Sequence, residues 1–270
     1  IPHLQNMAGE VRFVRPLHGG EEATVHQLDT DAGAIVLHIS PEWRSYGELA
    51  WVHRLIDHVQ KHVPEAVAPI GKPGHTVLTL DGHCAALYPF VDGERLDRDD
   101  ARLRSQAAQG LAAIHRATRS GFDAPRPPTR PAPRAARPDA LEDPALDAWW
   151  QSSEAASLVQ APIHGDYYRG NLLCRNRQLV GIIDWHDARM APLALELAAA
   201  MFELCKAPPH GLHIGRAQDF VRAYTAAGGP VPEHEIELLP SLMRVWIRED
   251  AQRSLLHPND PNERAYAQQQ

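Results

Sequence analysis

The chain has 270 residues, 44% hydrophobic and 23% charged, with a formal net charge of -7. That length can bury a sizeable core in one large domain or in two lobes sharing a cleft. The acidic balance argues against a phosphate-backbone partner, whose affinity comes from clustered Lys and Arg, so no nucleic acid is expected. No apolar run approaches the roughly 20 residues of a membrane helix, so no membrane partner is expected either.

Three cysteines, Cys84, Cys174 and Cys205, are far apart and odd in number. They suggest neither a disulfide framework nor a CxxC metal pair, and a reducing cytoplasm fits them. Ile1 to Asn6, ahead of Met7, carries neither a basic nor an apolar signal-peptide region. None of the sixteen histidines falls in a HExxH spacing, and scattered packing or surface roles are the ordinary reading.

Val11 and Phe13 alternate with polar neighbours, Gly19-Gly20 turns the chain, and Ala34 to Ile39 is a second apolar run. The pattern predicts antiparallel strands. From Ser45 to Val63, Leu49, Val52, Leu55, Ile56 and Val59 recur at 3- and 4-residue intervals, an amphipathic helix that Pro64 ends. Two short strands follow, Thr76 to Leu80 and Ala85 to Val91, around the turn Asp81-Gly82.

After Asp92-Gly93 the pattern becomes helical, with Leu103, Ala107, Leu111 and Ile114 on one face of a segment reaching Arg119. This change divides the chain into an N-terminal lobe, residues 7–91, and a C-terminal lobe, residues 92–270. Ala124 to Pro138 is rich in proline and arginine and reads as an extended surface segment. Pro162-Ile163 and Leu179 to Ile183 are strand-like. Leu193 to Leu204, Ala217 to Ala227 and Ile236 to Leu256 carry helical apolar stripes.

Between those last two strands lies the most polar stretch, His164-Gly165-Asp166-Tyr167-Tyr168-Arg169-Gly170-Asn171, followed by Ile182-Ile183-Asp184-Trp185. It places a carboxylate and a carboxamide five positions apart in a glycine-containing loop, with a second carboxylate at the end of an apolar strand. Phosphoryl transfer needs a group to orient or deprotonate the acceptor hydroxyl and oxygen ligands for Mg²⁺. Asp166, Asn171 and Asp184 have that chemistry.

HGDxxxxN, a short hairpin, IIDW and then Pro192 with Glu196-Leu197-Ala198 resemble the aminoglycoside phosphotransferase, choline kinase and homoserine kinase group. The resemblance is strongest over Ile163 to Phe202 and extends weakly over both lobes. It implies an α+β, bilobal protein-kinase-like fold: an N-terminal antiparallel sheet plus helix, and a mainly helical C-terminal lobe. It also implies transfer of the γ-phosphoryl group of ATP or GTP to a small-molecule hydroxyl, on an antibiotic such as an aminoglycoside or on an amino alcohol.

By the same resemblance Asp166 is the catalytic base, His164 supports its loop, and Asn171 and Asp184 bind Mg²⁺. Gly19 and Gly20 belong to a phosphate-covering hairpin, Glu48 lies on the first helix, and Pro89, Phe90 and Val91 form the hinge that reads the base. The family's cationic strand residue falls on His38, where Glu48 or a phosphate would favour the imidazolium. Arg44 is the other nearby source of that charge. Glu196 stands where the family has Asp.

Two rival readings remain open at this stage. A nucleotide-binding pseudokinase is prompted by His38, and a metal-dependent hydrolase by His164-x-Asp166 and Asp184-x-His186-Asp187. The acceptor is not specified. Asp187, Glu203, Glu249 and Asp250 could meet a cationic molecule, and Trp149, Trp150 and Trp246 could line its pocket.

Overall fold

The computed structural model describes residues 10–17, 23–127, 141–207 and 211–254. Strands β1 (Val11–Pro16), β2 (Thr24–Thr30), β3 (Gly33–Ile39), β4 (Leu78–Leu80) and β5 (His83–Pro89) form an antiparallel sheet in the order β1-β2-β3-β5-β4. Gly33 (φ +122°) and Asp81-Gly82 (φ +49° and +86°) supply the left-handed conformations its tight turns require. Gly19 and Gly20, between β1 and β2, lie outside the described residues.

Helix α1 (Tyr46–Gln60) starts at Ser45, whose side chain accepts from the Glu48 amide while the Glu48 carboxylate accepts from the Ser45 amide. This reciprocal cap satisfies two backbone donors that the first helical turn would otherwise leave open. Leu49, Val52, Leu55, Ile56 and Val59 are all buried, as their spacing predicts. Trp51, Val52, Leu55, Ile56 and Val59 join α2 (Ala101–Arg119) in the main core, whereas the sheet covers only a small cluster of Leu28, Leu37, Ala85 and Leu87. The first helix is thus anchored to the helical part of the protein as well as to the sheet.

Beyond β5 come β6 (Glu94–Arg95), α2, the short helices α3 (Pro144–Trp150) and α4 (Ser153–Ala156), β7 (Gln160–Ile163), β8 (Leu172–Arg175) and β9 (Gln178–Ile182). Strands β6, β8 and β9 pair antiparallel, and Asn176 and Arg177 turn the β8–β9 hairpin with φ of +52° and +57°. Arg177 also reaches Asp100, the N-cap of α2, at 2.7 Å, which ties the hairpin to that helix. Strand β10 (Arg189–Pro192) pairs with β7 and runs into α5 (Leu193–Leu204). The remainder is β11 (Lys206–Ala207), β12 (Gly211–Leu212), α6 (Ile214–Ala226), α7 (Glu233–Ile236) and α8 (Leu239–Ser254). Among the described residues no helix is long and apolar enough to cross a membrane.

Candidate active site

Strand β7 delivers His164, Gly165 and Asp166 to one edge of the helical part. Gly165 has φ +88°, and a Cβ there would lie 2.1 Å from the Asp187 carbonyl oxygen. Only glycine fits such a close approach. The loop is fixed from beneath by Glu196 in the first turn of α5, whose carboxylate accepts the Gly165 amide at 2.6 Å and the His164 amide at 3.2 Å. His115 adds a contact to Glu196 at 2.9 Å, and its other ring nitrogen meets the Tyr224 hydroxyl at 2.8 Å. Burial alone would raise the Glu196 pKa, but the bonds from His115 and Gly165 and the nearby imidazoles hold it below the ordinary value.

His164 is fully buried. Its Nδ1 accepts the Asp166 amide at 3.3 Å, so its Nε2 carries the proton and donates to the Ile183 carbonyl at 3.0 Å. Burial pushes its pKa down and keeps the ring neutral. With both nitrogens committed to the backbone, His164 has no lone pair for a metal, which removes one of the two histidines that prompted the hydrolase reading.

Asn171 donates its carboxamide to the Asp166 carboxylate at 2.7 Å and to the Asp166 carbonyl at 3.0 Å. Its backbone carbonyl accepts the Ile183 amide at 3.0 Å, which brings the His164–Asn171 loop and the end of β9 together. Asp184 follows with φ +60°, an uncommon conformation for a residue with a side chain. Its side chain is densely surrounded yet 41% exposed, and it accepts from His186 Nδ1 at 3.0 Å. Crowding opposes its charge, but the hydrogen bond from His186 holds its carboxyl well below the usual range.

His38 occupies β3 opposite Ala86 of β5 and stacks on His186, with ring centroids 3.7 Å apart and planes 8° from parallel. Its surroundings differ from the sequence expectation. Glu48 is held in the α1 cap, and burial, followed by His186, pushes the His38 pKa down to about 3 against the pull of Asp184. His38 is therefore a neutral ring in this site, because desolvation outweighs the pull of the Asp184 carboxylate. The nearby permanent charge is Arg44, which is 8% exposed, lies over the Trp43 ring at 4.5 Å and approaches Asp187 at 3.9 Å.

Pro89 ends β5, and the Phe90 amide donates to the Ala34 carbonyl at 3.3 Å. Val91 packs over Gly181 of β9, so these three residues cross from the sheet to the helical part. Next to Asp166 lies a small recess, partly open to solvent, whose lining includes Tyr168, Arg189, Glu203 and Trp246. Of the residues considered for an acceptor pocket, Glu203 and Trp246 are there. Trp149 instead donates to Glu154 at 2.9 Å and packs beside Trp150.

Sequence reasoning did not find the Glu196–His115–Tyr224 chain, whose members come from three helices. Only the glutamate in the first turn after Pro192 gave a local sign of it.

A bilobal α+β protein with a carboxylate and a carboxamide joined on one loop, and a second carboxylate one hairpin further on, belongs to the class of phosphoryl-transferring enzymes. Residues 14–234 match the phosphotransferase enzyme family, and the chain belongs to that family. It is 26% identical over 254 residues to a homoserine kinase of Beijerinckia indica subsp. indica, spanning 87% of this chain and 78% of that protein. A homoserine kinase of Pseudomonas aeruginosa is 27% identical over 256 residues, spanning 88% and 78%. Among solved structures, a microcompartment-associated aminopropanol kinase superposes with a TM-score of 0.75 at 16% identity, covering 98% of this chain and 91% of that one. A spectinomycin phosphotransferase, solved with ADP and spectinomycin, gives 0.62 at 17% identity, covering 100% and 91%. The fold is protein-kinase-like, and the chain is a small-molecule kinase with a hydroxyl acceptor.

Proposed function

We propose that this kinase transfers the γ-phosphoryl group of ATP or GTP to a small-molecule hydroxyl in a Mg²⁺-dependent reaction, with Asp166 as the base. The observation that carries the reading is the Asn171–Asp166 hydrogen bond of 2.7 Å on a loop pinned by His164 and Glu196. A carboxylate held this rigidly can receive the hydroxyl proton as the hydroxyl oxygen attacks the γ-phosphorus and the bond to the bridging oxygen breaks, releasing the nucleoside diphosphate. His164 takes no proton in this scheme. It fixes the Asp166 backbone.

Asn171 and Asp184 offer oxygen donors, the kind a hard Mg²⁺ prefers, and the amide group that Asn171 gives to Asp166 leaves its Oδ1 as the metal-facing atom. Mg²⁺ would neutralise charge on the phosphates. Gly19 and Gly20 would cover them, Arg44 would supply the fixed positive charge, and His38 would lie beneath. Pro89, Phe90 and Val91 would read the base as the hinge between lobes at residues 7–91 and 92–270, while Glu48 would hold α1 in place through its cap. Three free cysteines fit a cytoplasmic setting.

The acceptor would enter the recess beside Asp166, where Arg189, Glu203 and Trp246 favour a compact polar molecule. The relatives act on such molecules by name, homoserine and aminopropanol among them. Nucleotide consumption should be screened with Mg²⁺ against amino alcohols, homoserine, choline and aminoglycosides. Turnover with at least one alcohol supports the proposal; nucleotide binding with no transfer across the panel would favour the pseudokinase.

A further inference from the structure

The arginine-containing segment that follows α2 runs against the first half of α1. The Trp51 indole donates to the Ala124 carbonyl at 2.8 Å, and Pro127 lies 3.7 Å from where a Cβ on Gly47 would stand. Arg126 is thereby held over the Trp51 ring at 5.6 Å, within Coulomb reach of Arg44 and Arg189. Burial lowers its pKa, Glu48 and Asp187 pull it up, and Arg44 and Arg189 press it down, yet a guanidinium stays charged throughout.

Three guanidiniums therefore share this corner with the carboxylates of Glu48 and Asp187, a local positive excess on a chain whose net charge is -7. Glu48 is committed to the amide and hydroxyl of Ser45. Asp187 lies 3.9 Å from Arg44, whose side chain is only 7% exposed and whose buried Nε has no partner. Among the described residues neither Arg126 nor Arg189 forms an ion pair. Arg189 uses Nη1 alone, on the Gly165 and Asp187 carbonyls at a long 3.4 Å.

Arg189 and Glu203 both line the recess beside Asp166. Glu203 already pairs with Lys206 at 2.6 Å, so an ammonium arriving there competes with a cation in place. An oxyanion arriving at Arg189 meets donors that no carboxylate holds. The planar fork of N–H groups on a guanidinium matches a carboxylate in shape as well as charge.

We propose that Arg126 and Arg189, with Arg44 adding its field, form an oxyanion site on the Arg189 side of the recess that takes a carboxylate carried by the acceptor. The acceptors are then hydroxy acids, hydroxy-amino acids among them, in preference to amino alcohols. The assignment rests on the reading of Asp166 as the base beside that recess.

The test uses the full chain and acceptors matched but for the carboxylate: homoserine against the aminopropanol that its decarboxylation gives, and threonine against its own, isomeric aminopropanol. In at least one pair kcat/KM should favour the acid by about 10- to 100-fold, the worth of a charge-assisted hydrogen bond. Arg126→Ala should cut that ratio by about 10-fold, through KM, and Arg126→Lys, which keeps the charge, should restore part of it. Arg222→Ala, at an exposed arginine of α6, should leave the ratio unchanged. Calorimetric titration of the same compounds in the presence of a non-hydrolysable triphosphate reads the preference without turnover.

Tighter binding of an acid with no transfer would fail the kinase reading and keep the anion site, so the two failures are told apart. Equal or better binding of the aminopropanols, or binding of neither acid, would overturn the proposal. So would equal losses for acid and aminopropanol in Arg126→Ala. Weakened triphosphate affinity in Arg126→Ala with the acceptor ratio intact would assign the oxyanion to the nucleotide and overturn it as well.

Discussion

Asn171 and Asp166, five residues apart, face each other across the turn of one loop, with the carboxamide of the first donating to the carboxylate of the second at 2.7 Å. The contact constrains the orientation of a carboxylate whose backbone amide is already held by His164. An acceptor hydroxyl would therefore meet a preorganised base.

Replacing Asp166 with Asn keeps its volume and removes its basicity. Turnover with a true acceptor should fall by roughly 10²- to 10⁴-fold, the usual contribution of a positioned acid or base. Nucleotide affinity, measured by titration calorimetry, should persist. Transfer at the wild-type rate would overturn the assignment.

Asp184→Ala removes the carboxylate at the end of β9. Nucleotide affinity in this variant should no longer respond to Mg²⁺, whereas the wild type should respond strongly. An unchanged Mg²⁺ response would reject Asp184 as a ligand.

Arg44 is buried against Trp43, and its closest carboxylate, on Asp187, is 3.9 Å away, a loose pairing for a guanidinium with so little solvent. Arg44→Ala should weaken nucleoside triphosphate binding by about 10- to 100-fold, the worth of a charged hydrogen bond. Binding of the bare nucleoside should hardly change. Equal losses for both ligands would show that Arg44 acts on the cleft as a whole and not on phosphate.

Gly165→Ala combines a disfavoured φ of +88° with a Cβ 2.1 Å from the Asp187 carbonyl oxygen. The obstacle is backbone, so the loop itself has to move. A cost of at least about 1–3 kcal/mol in unfolding free energy is expected, with loss of turnover in the protein that remains folded. A variant with wild-type stability and rate would mean that the loop is far more pliable than its hydrogen bonds imply.

His53 is buried on α1, with its ring nitrogens 2.7 Å from the Thr76 hydroxyl and 3.0 Å from the Tyr88 hydroxyl. Burial, and then His186, pushes its pKa from the ordinary 6.5 to about 3. Between those values the unfolded chain binds a proton that the folded protein refuses, so stability rises with pH across the window. The contribution is complete above 6.5 and lost as pH falls towards 3, on the order of 1 kcal/mol per pH unit. Denaturant unfolding at pH 7.5 and 5.5 should show a smaller pH dependence for His53→Gln than for wild type. Identical slopes would remove His53 as the source.

The loop from His164 to Asn171 and most of the elements that carry it were legible in the sequence. His164 to Asn171 and Ile182 to Trp185 are short contiguous motifs, and the hydrogen bonds between Asn171 and Asp166 are local to one of them. Helix α1 was legible from its apolar spacing and α5 from its apolar run, because period is a local property. The short helices α3 and α4 and the pairing of β10 with β7 were not legible, as four to seven residues carry too little periodicity and strand pairing depends on a distant partner.

Only the tertiary structure decided the state of His38. From sequence it stood beside Glu48 as a charged substitute; folding instead stacks it on His186, 148 positions away in the chain, and burial keeps it neutral. The Glu196–His115–Tyr224 chain and the approach of Arg44 to Asp187 were likewise settled by packing. Desolvation and Coulomb interactions depend on distances in space, which spacing along a sequence does not encode.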